Sequence, residues 1–325
     1  MDALHLTTSS MPTLLLLYWL LCTGAALAAL VPSFGWSGFR KAVMLSACRG
    51  KLWDKKPDAP LGPLQAARVP QKRFAHFYIV GVACAIPALW LLIIAGCGPA
   101  EGWQEEHHAA LIAMLCVLFH LSRRLVESCL LLSYPDGAYM HLIAYAFGLS
   151  YYVALPLTLL PSSTWHTLDA LAYQGQKGAA EWDPCPAHLA QALKHLPGSM
   201  SALQVLGVVV FFAGNALQCH SHCILARLRA RIAGKREDRL QTTEDGYALP
   251  EGGAFSLVSC PHYLGEIVLY AGLALILCGS NISIMVVFAW VVANLLLAAG
   301  PTHEWYSERF PSYPRQRRAL IPWVY

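Results

Sequence analysis

The feature that most limits how this chain can fold is a series of apolar runs separated by polar or basic segments. Seven can be read: residues 12–31, 74–96, 109–121, 139–160, 200–225, 263–278 and 282–299. A helix needs about 20 apolar residues to cross the hydrocarbon core of a bilayer, and several runs reach that length. Inside lipid a backbone must satisfy its own hydrogen bonds, so each run is expected to be helical. The expected fold class is therefore all-α, with about seven transmembrane helices in one membrane domain spanning residues 1–325. Composition agrees. The chain is 56% hydrophobic and 13% charged, with mean hydropathy +0.46, whereas soluble domains carry roughly 25% charged residues.

The basic residues orient the spans. With the N-terminus lumenal and the C-terminus cytosolic, 21 of the 23 Lys and Arg fall on the cytosolic side, leaving Lys177 and Lys194 outside. That split follows the positive-inside rule. The first run also resembles a signal peptide, since the alanines around Ala25 and Ala28 look like a cleavage site. No Lys or Arg precedes it, however, and nine lie within residues 40–73, which favours a retained anchor. Basic residues assigned to topology leave the net charge of +4 without need of a nucleic-acid partner. Of the 11 cysteines, Cys22, Cys84, Cys116, Cys129 and Cys278 fall in or beside apolar runs, and no CxxC pair occurs. They read as small hydrophobes rather than disulfides or metal ligands, so no metal is expected. Residues 161–198 read as a polar loop. Arg123 and Arg124 read as a cytosolic stop paired with Glu127 at helical spacing.

Two polar clusters flank the last two runs: His262, Tyr263 and Glu266, then His303, Glu304, Tyr306 and a basic tail through Arg318. Ionisable groups at span ends facing a bundle are functional candidates. The reading is a nucleotide cofactor held at the cytosolic face, with the upstream spans forming the lipid-side half of the site.

The C-terminal pattern SCPHYLGE, then HEWY, then FPSYPRQRRALIP, resembles the steroid 5α-reductase family. Its polyprenol-reducing branch is the nearest match, through VPQKRFAHFY from Val69, HLSRRLVE from His120 and FGLSYYV from Phe147. The resemblance covers most of residues 69–325. It implies a seven-helix reductase of the endoplasmic reticulum membrane that binds NADPH in its C-terminal part, from about residue 200. It also implies a long-chain polyprenoid lipid substrate, reduced towards dolichol for N-glycosylation. By the same resemblance Gln218, His222, Tyr247, His262, Glu266, His303 and Tyr306 are cofactor contacts. Ala248 stands where the family has an arginine for the adenosine phosphate, so Arg236, Arg239 or the tail arginines are expected to replace it.

Hydride addition to a carbon–carbon double bond needs conjugation to a carbonyl, and an acid to meet the charge developing on oxygen. An isolated allylic alcohol has no such sink, so polyprenal is chemically a better immediate substrate than polyprenol. By the resemblance, His76 stands about where the steroid-reducing members carry a catalytic glutamate, and Tyr78 lies two residues on; these are the candidate acids. Both residue types also serve as interfacial anchors. Rival readings are a steroid or enone 5α-reductase, a prenyl-lipid membrane methyltransferase using S-adenosylmethionine, and a non-enzymatic lipid-binding protein or channel. The tail and the RFAHFY segment favour the reductase over the methyltransferase, and the scarcity of mid-span charge argues against a channel.

Overall fold

The computed structural model describes residues 10–31, 37–47, 67–96, 103–134, 137–176, 200–234 and 246–325, with a few isolated positions between them. The apolar runs are helices: α1 (Met11–Leu30), α3 (Ala75–Gly96), α4 (Glu105–Val126), α5 (Leu142–Thr158), α7 (Ala202–Ala233), α8 (Pro261–Ile276) and α9 (Ile282–Arg309). A short α2 (Ser37–Ala47) follows α1, and α6 (Ser162–Gln176) follows α5. Among the described residues, five helices are long and apolar enough to cross a membrane, or six if the bent pair α5–α6 is one span. The expected count of seven also needs α8, which has 16 residues and so is about 24 Å long at 1.5 Å per residue. The only named strands described are β1 (Arg68–Pro70) and β2 (Tyr139–His141), antiparallel with Val69 opposite Met140. They tie the entry of α3 to that of α5.

Three departures from the sequence reading matter. The expected polar loop begins as helix α6, bent 81° from α5. Span α4 ends near its arginine pair, both arginines lying in its last turn, but the chain then makes one π-turn, Glu127–Leu131, in place of the interfacial helix that Leu125–Ser133 could have formed. Finally, α7 and α8 meet backbone to backbone through glycines. A Cβ on Gly214 would lie 2.4 Å from the Leu269 nitrogen, and one on Gly272 would lie 2.5 Å from the Phe211 nitrogen. Small residues permit such close helix approach inside a membrane. The contact sets Gln218 of α7 against Glu266 of α8, which are hydrogen-bonded.

The main core joins α1, α3, α4, α5, α8 and α9, with Trp165 of α6 and Phe211 of α7. Trp19 is fully buried and its indole donates to Thr158 Oγ1 at 2.8 Å. The C-terminal tail folds back on the entry of α8: Ser259 N donates to Arg318 O at 2.7 Å, and Cys260 N to Ala319 O at 3.2 Å.

Candidate active site

At the arginine end of α4 the core becomes polar. Arg124 is buried. It donates through Nε and Nη2 to Tyr78 Oη at 3.1 and 2.7 Å, and through Nη1 to Glu127 Oε2 at 2.6 Å. His222 Nδ1 lies 2.8 Å from both Arg124 Nη1 and Glu127 Oε2. Arg123 pairs with the other oxygen of Glu127, donates to Gln218, and reaches Asn215 Oδ1 at 3.1 Å. His120 Nδ1 accompanies it at 3.2 Å and meets the same Asn215 oxygen at 3.0 Å. Four helices and the π-turn thus share one hydrogen-bonded network. Burying a guanidinium is costly unless it is paired and fully hydrogen-bonded; Glu127, Tyr78 and His222 meet that requirement for Arg124. The reading of Arg124 as a simple stop is therefore corrected. The expected ion pairs with Glu127 are present, but they lie inside the bundle and Arg124 lines a cavity.

That cavity holds about 780 Å³. Its polar part is lined by Tyr78, Arg124, Gln218, His222, His262, Glu266 and Tyr306, and continues to Tyr247, Ala248 and Arg229. Its apolar part is lined by Leu21 and Ala25 of α1, Val43 of α2, Phe77 of α3, Phe147, Tyr151 and Tyr152 of α5, and Trp290 of α9. Tyr151 is hydrogen-bonded to Tyr270, which is not among the lining residues.

Most of the sequence candidates are brought together here. Gln218, His222, Tyr247, His262, Glu266 and Tyr306 all line the cavity. Gln218 also donates to the backbone oxygen of His262 at 3.5 Å. His303 is not among the lining residues. Its Nδ1 lies 2.8 Å from Ser259 Oγ and 3.0 Å from Tyr313 Oη, and of these three only Ser259 reaches the cavity. The grouping of His303 with Glu266 and Tyr306 around one ligand is corrected to this indirect position. Burial raises the Tyr313 phenol above its usual value, which keeps it a neutral hydrogen-bonding group. Burial also lowers the Arg317 guanidinium, which packs 5.2 Å from the Tyr313 ring centre. His76 does not line the cavity either; its Nδ1 is 2.7 Å from Tyr145 Oη. Residues two apart on a helix point about 200° from one another, so Tyr78 and His76 are not co-facial.

Arg236 and Arg239 lie outside the described residues. Sequence reading missed Arg229, which lies seven residues after His222 on the same helix. Its guanidinium is 5.2 Å from the centre of the Tyr247 ring and donates to Gly246 O at 3.0 Å. It therefore stands beside Ala248, where the resemblance left an arginine missing. The spacing of two turns along α7 was the available signal. Among the described residues no group of three His, Cys, Asp or Glu side chains is arranged to hold a metal ion.

The family described as 3-oxo-5-alpha-steroid 4-dehydrogenase matches residues 195–325, the part that carries α7, α8, α9 and the tail. Similarity extends further in whole proteins. The chain is 33% identical over 320 residues to Polyprenal reductase 1 of Arabidopsis thaliana, covering 94% of this chain and 95% of that protein. It is 30% identical to Polyprenal reductase 2 of the same plant, with the same coverage. It is 31% identical to Polyprenal reductase of Danio rerio over 275 residues, covering 78% of this chain and 79% of that one. With the matched C-terminal part and a 33% identical relative across nearly its whole length, the chain belongs to the steroid 5α-reductase family, alongside the polyprenal reductases.

Proposed function

We propose that this protein reduces the α-isoprene double bond of polyprenal with NADPH, in the endoplasmic reticulum membrane, on the way to dolichol for N-glycosylation. The observation that carries this reading is the two-part cavity. One wall of charged and amide groups continues into a wall of aliphatic and aromatic side chains. A dinucleotide suits the first and an isoprenoid head suits the second. Pockets of roughly 300–1,000 Å³ are of the size that encloses such ligands.

The family is generally NADPH-dependent, and the described residues fit that cofactor. Gln218, His222, His262, Glu266 and Tyr306 supply donors and acceptors for a nicotinamide-ribose end. Arg229 and Tyr247 offer a cation and an aromatic face for a phosphate and adenosine end. NADPH, when bound, supplies the hydride. The protein holds the enal against Tyr151, Tyr152 and Phe77, and provides a hydrogen-bond donor where charge develops on the carbonyl oxygen. Polyprenal rather than polyprenol is the substrate because only the aldehyde has a conjugated carbonyl to take that charge. The names of the polyprenal reductases it resembles agree with that choice.

The arrangement is one membrane domain of seven spans, counting α8, with the N-terminus lumenal and the polar end of the cavity facing the cytosol. The test is turnover in microsomes from cells lacking their own enzyme, with NADPH and either lipid. Reduction of polyprenal and not of polyprenol is expected. Fast turnover of the alcohol with none of the aldehyde would overturn the reading.

A further inference from the structure

Both candidate acids lie at the start of α3, and their surroundings differ. His76 points to Tyr145 and does not line the cavity. Tyr78 lines the cavity and is 4% exposed. Its phenol oxygen accepts two hydrogen bonds, both from Arg124. A phenol oxygen has two lone pairs and one proton. With both lone pairs engaged by a guanidinium, the proton is left to donate, and among the described residues no acceptor takes it. Arg124 in turn is fixed by Glu127 and His222, so its two donors to Tyr78 are aimed rather than mobile.

We propose that Tyr78 is the proton donor to the substrate carbonyl and that Arg124 is its positioning residue. This rests on the enal-reductase reading above. In the step, the β-carbon of the enal gains the hydride that bound NADPH would supply. The electron pair of the double bond shifts through the α-carbon to the carbonyl oxygen. That oxygen takes the Tyr78 proton, and the phenolic O–H bond breaks. The resulting enol becomes the saturated aldehyde by losing its oxygen-bound proton and gaining one at the α-carbon. The phenolate left against Arg124 is reprotonated by water, so each turnover consumes one hydride and one proton. Arg124 acts through Tyr78 twice. It holds the oxygen so that the proton faces the cavity, and its charge stabilises the phenolate.

The test uses full-length protein in microsomes with polyprenal and NADPH. General acid catalysis typically contributes 10²–10⁴-fold. Tyr78→Phe removes one hydroxyl and is expected to lower kcat at least about 100-fold. The KM for NADPH and the thermal protection that NADPH confers should change by less than about twofold. Arg124→Gln is expected to lower kcat about 30-fold or more, with partial recovery in Arg124→Lys, which restores the charge without the two-pronged geometry. The double variant Tyr78→Phe/Arg124→Gln should be no slower than Tyr78→Phe alone, because a residue acting only through Tyr78 has nothing further to remove. A purely structural Arg124 would give additive losses and reduced NADPH protection, which would overturn the positioning role. Tyr78→Phe activity within fivefold of wild type, or a 100-fold loss in His76→Ala beside an active Tyr78→Phe, would overturn the donor assignment. Wild-type protein that leaves polyprenal unreduced would sink the enal-reductase reading instead, so the two failures are distinct.

Discussion

His303 lies one residue removed from the cavity. Its imidazole is held between Ser259 and Tyr313, and its link to the cavity runs through the Ser259 hydroxyl. Removing it takes a partner from two hydroxyls, and leaving a buried polar group short of a partner costs about 1–3 kcal/mol. Part of that is relieved because Ser259 keeps Tyr313 and the Arg318 carbonyl. His303→Ala is therefore expected to raise the KM for NADPH about tenfold, equivalent to about 1.4 kcal/mol, while kcat stays within about threefold and protein abundance is normal. Titration of NADPH in microsomes measures this. An unchanged KM at normal abundance would reduce His303 to an anchor at the end of its helix. The sequence supplied the residue types around the cavity but not their directions. His76 and Tyr78 look equivalent as letters, and the turn of the helix separates them. Arg124 looks like a stop because a cation after an apolar run usually is one. Only side chains far away in sequence, Tyr78 and His222, reveal that it is enclosed.

Between elements, the α7–α8 contact limits what the site tolerates. The obstacle to a side chain at Gly214 is backbone, the Leu269 nitrogen and the Gly265 oxygen, which cannot rotate aside. Gly214→Ala must push the helices apart, and overpacking of this kind costs typically 1–3 kcal/mol. The displacement falls one turn before Gln218 and beside Glu266, so their hydrogen bond should be strained or lost. A melting temperature lowered by several degrees and activity reduced at least about tenfold are expected. Gly24→Ala in α1 meets nothing within 4 Å and serves as the control, with stability unchanged or improved. Restoration of full activity and stability in Gly214→Ala would show that the contact has slack. The apolar runs themselves were legible, because seven stretches of hydrophobic sequence became helices that start near the expected residues, although α7 and α9 run eight and ten residues past the expected ends. The glycine contact was not, since a glycine in a helix does not announce which neighbour approaches it. Helix α6 was hidden for another reason: Ser162–Gln176 is amphipathic and polar, and its sequence lacks the apolar continuity that marked the others.

For the whole molecule, orientation is the decisive property. A reporter placed after Tyr325 is expected to face the cytosol, and one before Met1 the lumen. A lumenal tail would part the polar end of the cavity from cytosolic NADPH. The sequon Asn281-Ile282-Ser283 carries a separate expectation, independent of orientation. Its amide nitrogen donates to Thr158 O at 2.6 Å, and its oxygen accepts from Ser283 N at 3.0 Å, starting α9. A nitrogen so engaged in a tight turn should stay unmodified, and mobility on gels should not change after glycosidase treatment. The cavity has one more consequence. It is finite, and its apolar arm runs to Leu21, which is 75% exposed on the outer face of α1. A polyprenyl tail many units long cannot be housed there, and its remainder must lie among the bilayer chains. On the proposed function the enzyme would therefore inspect an end group without measuring what trails behind it, and the spread of lengths in its product would be inherited from whatever assembles the chain.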